Sequence, residues 1–313
     1  MSSGTKGEID ISAISANTSD KQIKNVGRLF KHNWFDYANI ILTAIFALII
    51  LYPMYNSVLV SFTPQSIYVR TPFMLWPKKL VIDSYYVVFE AKALFTGMWV
   101  TLRITVLGVM YNMILTVLMA YAFNKTFPGK TLILYLVFFT MYFDGGLIPF
   151  YLLIKDMGLM DTLWCMILPS GISIMYMTVI RKYFAALPEE LRESARIDGA
   201  SELTVLFRII LPLAMPMVVT FALYYGVDRW NEWWYGMLFV KSAFRQPLQL
   251  VLRGIILAQG QQASSSLMDA GIIPFTDGVK MASVVITMTP IMCVYPFLQK
   301  YFVQGLAIGA VKG

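Results

Sequence analysis

Histidine is almost missing from this sequence; His32 is the only one. A lone imidazole excludes most metal sites and any Ser–His catalytic pair. Cysteine is nearly as scarce. Cys165 and Cys293 both sit inside long apolar runs and read as small packing residues, not as a disulfide or a metal pair. A membrane-embedded glycosyltransferase or protease would need clustered acids or a Ser/His pair near the membrane, and neither occurs. A nucleotide loop is also lacking. Gly129-Lys130-Thr131 looks like the end of one, but Asn124 stands where the first glycine belongs. The first thirty or so residues contain no short apolar core with a small-residue cleavage site, so they do not read as a cleaved signal peptide.

Charge is scarce as well. Charged residues make up 14% of the chain and hydrophobic ones 58%, against about 25% charged in soluble domains. The charges mark the ends of long uncharged runs. None lies between Asp36 and Arg70, Arg103 and Lys125, Asp161 and Arg181, Arg208 and Asp228, or Lys280 and Lys300. Between Lys130 and Lys155 the only one is Asp144. A spanning helix needs about 20 mostly apolar residues, and a soluble helix of that length would show a charged face. The sequence therefore predicts an all-α integral membrane protein with six transmembrane helices, at 37–62, 100–123, 131–154, 162–180, 209–228 and 281–299.

The formal charge of +7 reads as membrane anchoring, because the basic residues crowd the span ends; nucleic acid is not implied. Lys21, Lys24, Arg28 and Lys31 would hold a polar tail, 1–33, in the cytoplasm. The 124–130 loop carries Lys125 and Lys130; the 181–208 loop carries Arg181, Lys182, Arg192, Arg196 and Arg208. Both would face inward, with both termini cytoplasmic. The remainder, 34–313, reads as one integral domain. Prolines within or beside the spans suit a transport pathway, though they are common in membrane helices generally.

The most informative segment runs from Leu187 to Pro216: LPEELRESARIDGASELTVLFRIILPLAMP. Pro188 and the acids Glu189, Glu190 and Glu193 suit a helix start. Asp198-Gly199 stops that helix, with Gly199 suited to the left-handed conformation. Ser201 can cap a second helix, which runs on into the span and is bent by Pro212 and Pro216. Such an elbow is either an ordinary loop on the membrane surface or a docking element for a partner; residue chemistry alone leaves both open.

Here a resemblance becomes specific. The pattern Glu-Ala-Ala, three residues, Gly, nine residues, Ile-x-Leu-Pro is the signature loop of binding-protein-dependent ABC importer permeases. This sequence is similar to it at Glu193, Ser194, Ala195, Gly199, Ile209, Leu211 and Pro212, with Ser194 the one departure. Asp198 lies inside the loop but outside the pattern. The resemblance implies a coupling helix that fits a groove on a cytoplasmic ATPase dimer and transmits its closure. It also implies the type I importer fold, a second homologous permease forming a heterodimer, an extracytoplasmic solute-binding protein, and a bacterial plasma membrane location. This chain would hold no cofactor; ATP and Mg would sit on the ATPase. The ending QKYFVQGLAIGAVKG resembles the maltose-type second permease subunit, whose tail (300–313 here) reaches the ATPase interface; Gly305, Gly309 and Gly313 would permit close approach. The 143–164 stretch resembles the subgroup serving complex oligosaccharides.

Two places are candidates for the substrate path. Asp144, an acid within a span, either faces the path or belongs to a local break at Asp144-Gly145-Gly146. Trp230, Asn231, Glu232 and Trp233, at the outer end of the fifth span, either bind sugar through ring stacking and hydroxyl contacts or form an interfacial aromatic belt. An importer for peptides or amino acids would share the signature loop. A secondary transporter would usually show paired inverted repeats or buried ionisable relays, for which Asp144 is thin support.

Overall fold

The computed structural model describes residues 34–71, 74–257 and 276–310, with side chains described as far as residue 294 and at residue 296. The expected tail 1–33 lies outside these residues. The described residues form helices: α1 (Trp34–Ser61), α2 (Gln65–Tyr68), α3 (Asp83–Glu90), α4 (Ala93–Ala122), α5 (Lys130–Tyr142), α6 (Leu147–Asp156), α7 (Trp164–Ile167), α8 (Ile174–Ala185), α9 (Glu190–Ile197), α10 (Glu202–Val205), α11 (Leu211–Leu213), α12 (Met215–Trp230), α13 (Trp234–Phe239), α14 (Leu248–Leu257) and α15 (Thr276–Ala310). No strand occurs among them.

The chain divides into two compact units, Met1–Asn56 and Ser57–Gly313. The described part of the first is most of α1. This helix has 28 residues and no charge after Asp36, and about 42 Å of helix is ample to cross a bilayer. Its large apolar side chains, Leu42, Phe46 and Leu48 among them, are exposed. In water that would be costly, whereas hydrocarbon tails accept such a surface.

The second unit is organised around α4, which packs most extensively on α12 and then on α8 and α14. Its buried face carries Gly97, Thr101, Ile104, Gly108, Asn112, Thr116 and Ala120, spaced three or four apart. Its other face exposes Trp99, Leu102, Val106, Met110 and Ile114. Small and polar residues inside with bulky apolar residues outside is the packing expected where lipid is the solvent. Gly97 shows why size matters: an added Cβ would stand 3.1 Å from the Leu248 Cα. One turn on, the Thr101 hydroxyl accepts the Leu248 N–H at 2.8 Å and fixes the start of α14.

All six expected segments are occupied by helix, but only three of them by a continuous one. Among the described residues α1, α4 and Thr276–Val294 of α15 are long and apolar enough to cross alone. The 131–154 segment is the pair α5 and α6, bent by 112°. The 209–228 segment is the α10–α11 stretch followed by α12, bent by 87°. That second bend falls at Ala214, between Pro212 and Pro216, as the two prolines predict. It is preceded by a π-helical turn, Leu206–Ile210. The 162–180 segment requires correction as a single span: α7 and α8 are separated by residues 168–173, where Pro169 and Gly171 interrupt the ladder.

Candidate functional site

The elbow has the two-helix form that its residues predict. α9 ends in a Schellman motif, with Ala200 N donating to Ala195 O at 2.9 Å and Gly199 N to Arg196 O at 3.0 Å. Gly199 holds φ +80, and a Cβ added there would meet nothing within 4 Å. Its requirement is therefore conformational, not steric. Ser201 caps α10 by accepting the Thr204 N–H.

The elbow has an inner and an outer face. Ala195 is buried in one apolar core with Phe184, Val205, Leu206 and Ile210 from its own bundle. Arg192 is buried beside it, giving Nη2 to the Phe184 carbonyl at the end of α8 and Nη1 to Glu189 at 3.1 Å. Glu193, Ser194, Asp198 and Gly199 lie on the outer face. So do Leu191, Leu203 and Ile197, the last 86% exposed. Ile209 and Leu211 are half-buried and Pro212 is exposed.

Glu202 ties this elbow to the bundle. It forms ion pairs with Lys125 at 2.6 Å and Arg196 at 3.1 Å, and accepts the Tyr121 hydroxyl at 2.6 Å. The Lys125 ammonium, then the Tyr121 hydroxyl, pull its carboxyl down from 4.5 to about 2. A further bond, Asn124 Nδ2 to Arg181 O at 3.0 Å, joins the 124–130 loop to α8.

A second constellation lies at the interrupted 162–180 segment. Arg229, only 3% exposed, gives Nη1 to Met166 O and Nη2 to Ser170 O, both at 2.6 Å, and Nε to Asn112 Oδ1 at 3.2 Å. Asn112, fully buried on α4, donates to Gly171 O at 3.0 Å and to Ser170 O. The backbone carbonyls released by the break are thus met by side chains of two other helices, as a low-dielectric interior demands. Gly108 makes the room, since a Cβ there would stand 2.8 Å from the Arg229 Cδ. Tyr225 completes the frame, its hydroxyl bonding Thr116 at 2.7 Å and accepting Ser173 N–H at 2.9 Å.

Beside this frame opens a cavity of about 310 Å³, lined by Ser170, Ile172, Ser173, Tyr225, Asp228, Arg229 and Glu232. Of the expected path residues it takes only Glu232. That side chain also caps α13, accepting the Tyr235 N–H at 2.8 Å. Trp230 is buried with Val88, Leu94, Leu248 and Ala282. Trp233 lies under Arg253, the guanidinium 4.4 Å from the ring centre. Asn231 bonds Val227 O at 2.9 Å and faces Gln249 at 3.4 Å. Asp144 is not within a helix: it stands at the α5–α6 break and accepts the Gly146 N–H at 2.8 Å, the local-break arrangement. Gly305 and Gly309 lie in α15, while Gly313 falls outside the described residues.

Asp161 straps the other end of the unit. At φ +56, its carboxylate receives the Ser242 and Lys241 N–H groups and pairs with Arg245 at 3.1 Å. The Ser242 hydroxyl and amide do most to lower its pKa.

Arg229, Asn112, Ser170, Ser173 and Tyr225 are absent from the sequence-based candidates. The signal for Asn112 is an amide in the middle of an uncharged run. Arg229 is hidden by its position, because a charge after an apolar run reads as a span end.

Relatives agree with this architecture. The chain is 39% identical over 280 residues to protein LplC of Bacillus subtilis, covering 89% of this chain and 95% of that one. It is 35% identical to the polygalacturonan/rhamnogalacturonan transport system permease protein YtcP of the same organism, covering 90% of this chain and 100% of the relative. Among solved structures, one of a bacterial ABC transporter involved in import of the acidic polysaccharide alginate superposes with a TM-score of 0.81 at 30% identity, over 86% of this chain and 96% of that one. Residues 32–308 match the binding-protein-dependent transport system inner membrane components, and the chain belongs to that family, as a membrane transport permease and not an enzyme.

Proposed function

We propose that this chain is one permease subunit of an ATP-driven carbohydrate importer. It pairs with a second, homologous permease, receives cargo from an extracytoplasmic solute-binding protein, and is driven by a cytoplasmic ABC ATPase dimer. The names of the relatives above, one for polygalacturonan and rhamnogalacturonan and one for alginate, support a carbohydrate cargo over peptides or amino acids. The membrane is the bacterial plasma membrane, with 1–33 and both termini on the cytoplasmic side, 34–313 the permease domain, and 300–313 a tail at the ATPase.

The observation that carries the proposal is the two-faced elbow. Its inner face is locked to the bundle by Ala195, Arg192 and Glu202, and its outer face presents Glu193, Ser194, Asp198 and the bare side chain of Ile197. A segment rigid against its own chain, with an apolar knob turned outward, is built to be gripped and to pass on a push.

The test is uptake of labelled oligosaccharides by vesicles holding the whole importer. Gly199→Val should stop uptake with insertion intact, because a β-branched residue at positive φ costs about 1–2 kcal/mol. Gly199→Asn, which tolerates that conformation, should retain much of it. Equal uptake by wild type and the valine variant, or no sugar moved by the wild type, would remove the proposal. A cysteine at Ile197 in a Cys293→Ser background should resist impermeant maleimide applied outside; labelling there would invert the topology.

A further inference from the structure

The cavity beside the interrupted segment has a one-sided chemistry. Its one cation is largely turned to the protein: three of the five Arg229 N–H groups go to Met166 O, Ser170 O and Asn112, while the Tyr225 hydroxyl bonds Thr116 and accepts the Ser173 N–H. Its remaining charged groups are two carboxylates. Asp228 is exposed on the lining and takes the Tyr176 hydroxyl on one oxygen at 3.2 Å. Glu232 takes the α13 amide. Two carboxylates thus stand against one guanidinium whose bonds go to neutral oxygens of the protein.

We propose that this cavity is a cargo subsite for an uncharged sugar ring, rich in hydroxyls, and that it discriminates against uronates; this rests on the carbohydrate reading above. A hydroxyl can donate to Asp228, while Ile172 offers an apolar wall to a ring face. A sugar carboxylate would meet Asp228 and Glu232 against the single positive charge of Arg229, already shared among three oxygens of the protein. Like-charge juxtaposition in a partly desolvated site is strongly unfavourable. At about 310 Å³ the space is at the small end of ligand pockets and suits one ring, not a whole oligosaccharide. The site is built from two elements that the Arg229 clamp holds together, so it exists only while the break at 168–173 is held open.

The experiment uses the assembled permease–ATPase complex in nanodiscs without the binding protein, so that the latter's selectivity does not enter. Affinities for a neutral galactose trisaccharide and a galacturonate trisaccharide are compared by saturation-transfer NMR. The wild type should prefer the neutral sugar by about tenfold or more. The double variant Asp228→Asn with Glu232→Gln keeps an acceptor oxygen for Tyr176 and for the α13 amide but removes both charges, and should shrink the ratio by about tenfold. An unchanged ratio in a variant of normal melting temperature, a wild-type preference for the uronate, or no binding of either sugar would overturn the subsite. Uptake by the complete importer is run in parallel. If uptake proceeds and the ratio does not move, only the subsite falls; if no sugar is taken up, the carbohydrate reading falls with it.

Discussion

Arg229 is a guanidinium sealed inside a bundle with three neutral oxygens around it. Its fork geometry is what allows one side chain to reach Met166 O, Ser170 O and Asn112 together, and a lysine cannot copy it. Replacement by methionine leaves Met166 O and the Asn112 amide oxygen without that donor, while Ser170 O keeps Asn112. With about 1–3 kcal/mol for each of the two buried groups left unmet, Arg229→Met should destabilise the permease by about 2–6 kcal/mol. Arg229→Lys should recover only part of this. Thermal unfolding in detergent checks both, and a methionine variant melting with the wild type would show the clamp to be dispensable. Sequence alone could not pair these residues, because Arg229 and Asn112 are separated by 117 positions.

At the scale of elements, the elbow is joined to α4 through Glu202. Folding lowers that carboxyl from 4.5 to about 2. Its contribution is therefore complete above about pH 4.5 and is lost as the pH falls toward about 2. The side chain is half-exposed, so solvent screening keeps the effect small. Between about pH 6 and pH 3 the wild type should lose more melting temperature than Glu202→Gln, whose amide does not titrate. Parallel losses would mean that the Lys125 and Tyr121 contacts do not anchor the elbow. Much at this scale is legible in the sequence. Gly199 and Ser201 announce the turn and the cap because those roles depend on a few adjacent residues, and Pro212 with Pro216 announce the 87° bend. The interruption at 168–173 is not, although Pro169-Ser170-Gly171 stands there. An apolar run gives no hint that its freed carbonyls have distant donors waiting.

At the scale of the molecule, apolar side chains on the outer faces of α1 and α4 are exposed, as expected of a protein whose solvent is lipid. Ile197 is more exposed than Leu191 or Leu203 on the same elbow, and it projects between charged neighbours, not from a span. Ile197→Asp should weaken co-purification of the ATPase by about tenfold or more, in line with loss of an anchoring side chain at a contact, while membrane insertion is unchanged. Full retention of the ATPase would place the grip elsewhere on the elbow.

Charge spacing alone determined that this is a helical membrane protein and roughly where its apolar segments lie, because hydrocarbon penalises every unpaired charge regardless of how the helices later pack. The elbow's local form followed from the sequence in the same way, through backbone conformation and capping. Tertiary structure decided the rest. It turned Ala195 inward and Ile197 outward, placed Asp144 at a helix break, and brought Arg229 and Asn112 to the carbonyls of a third segment. Those outcomes depend on close approach between segments far apart in the chain, and such contacts have no signature in the local pattern of residues.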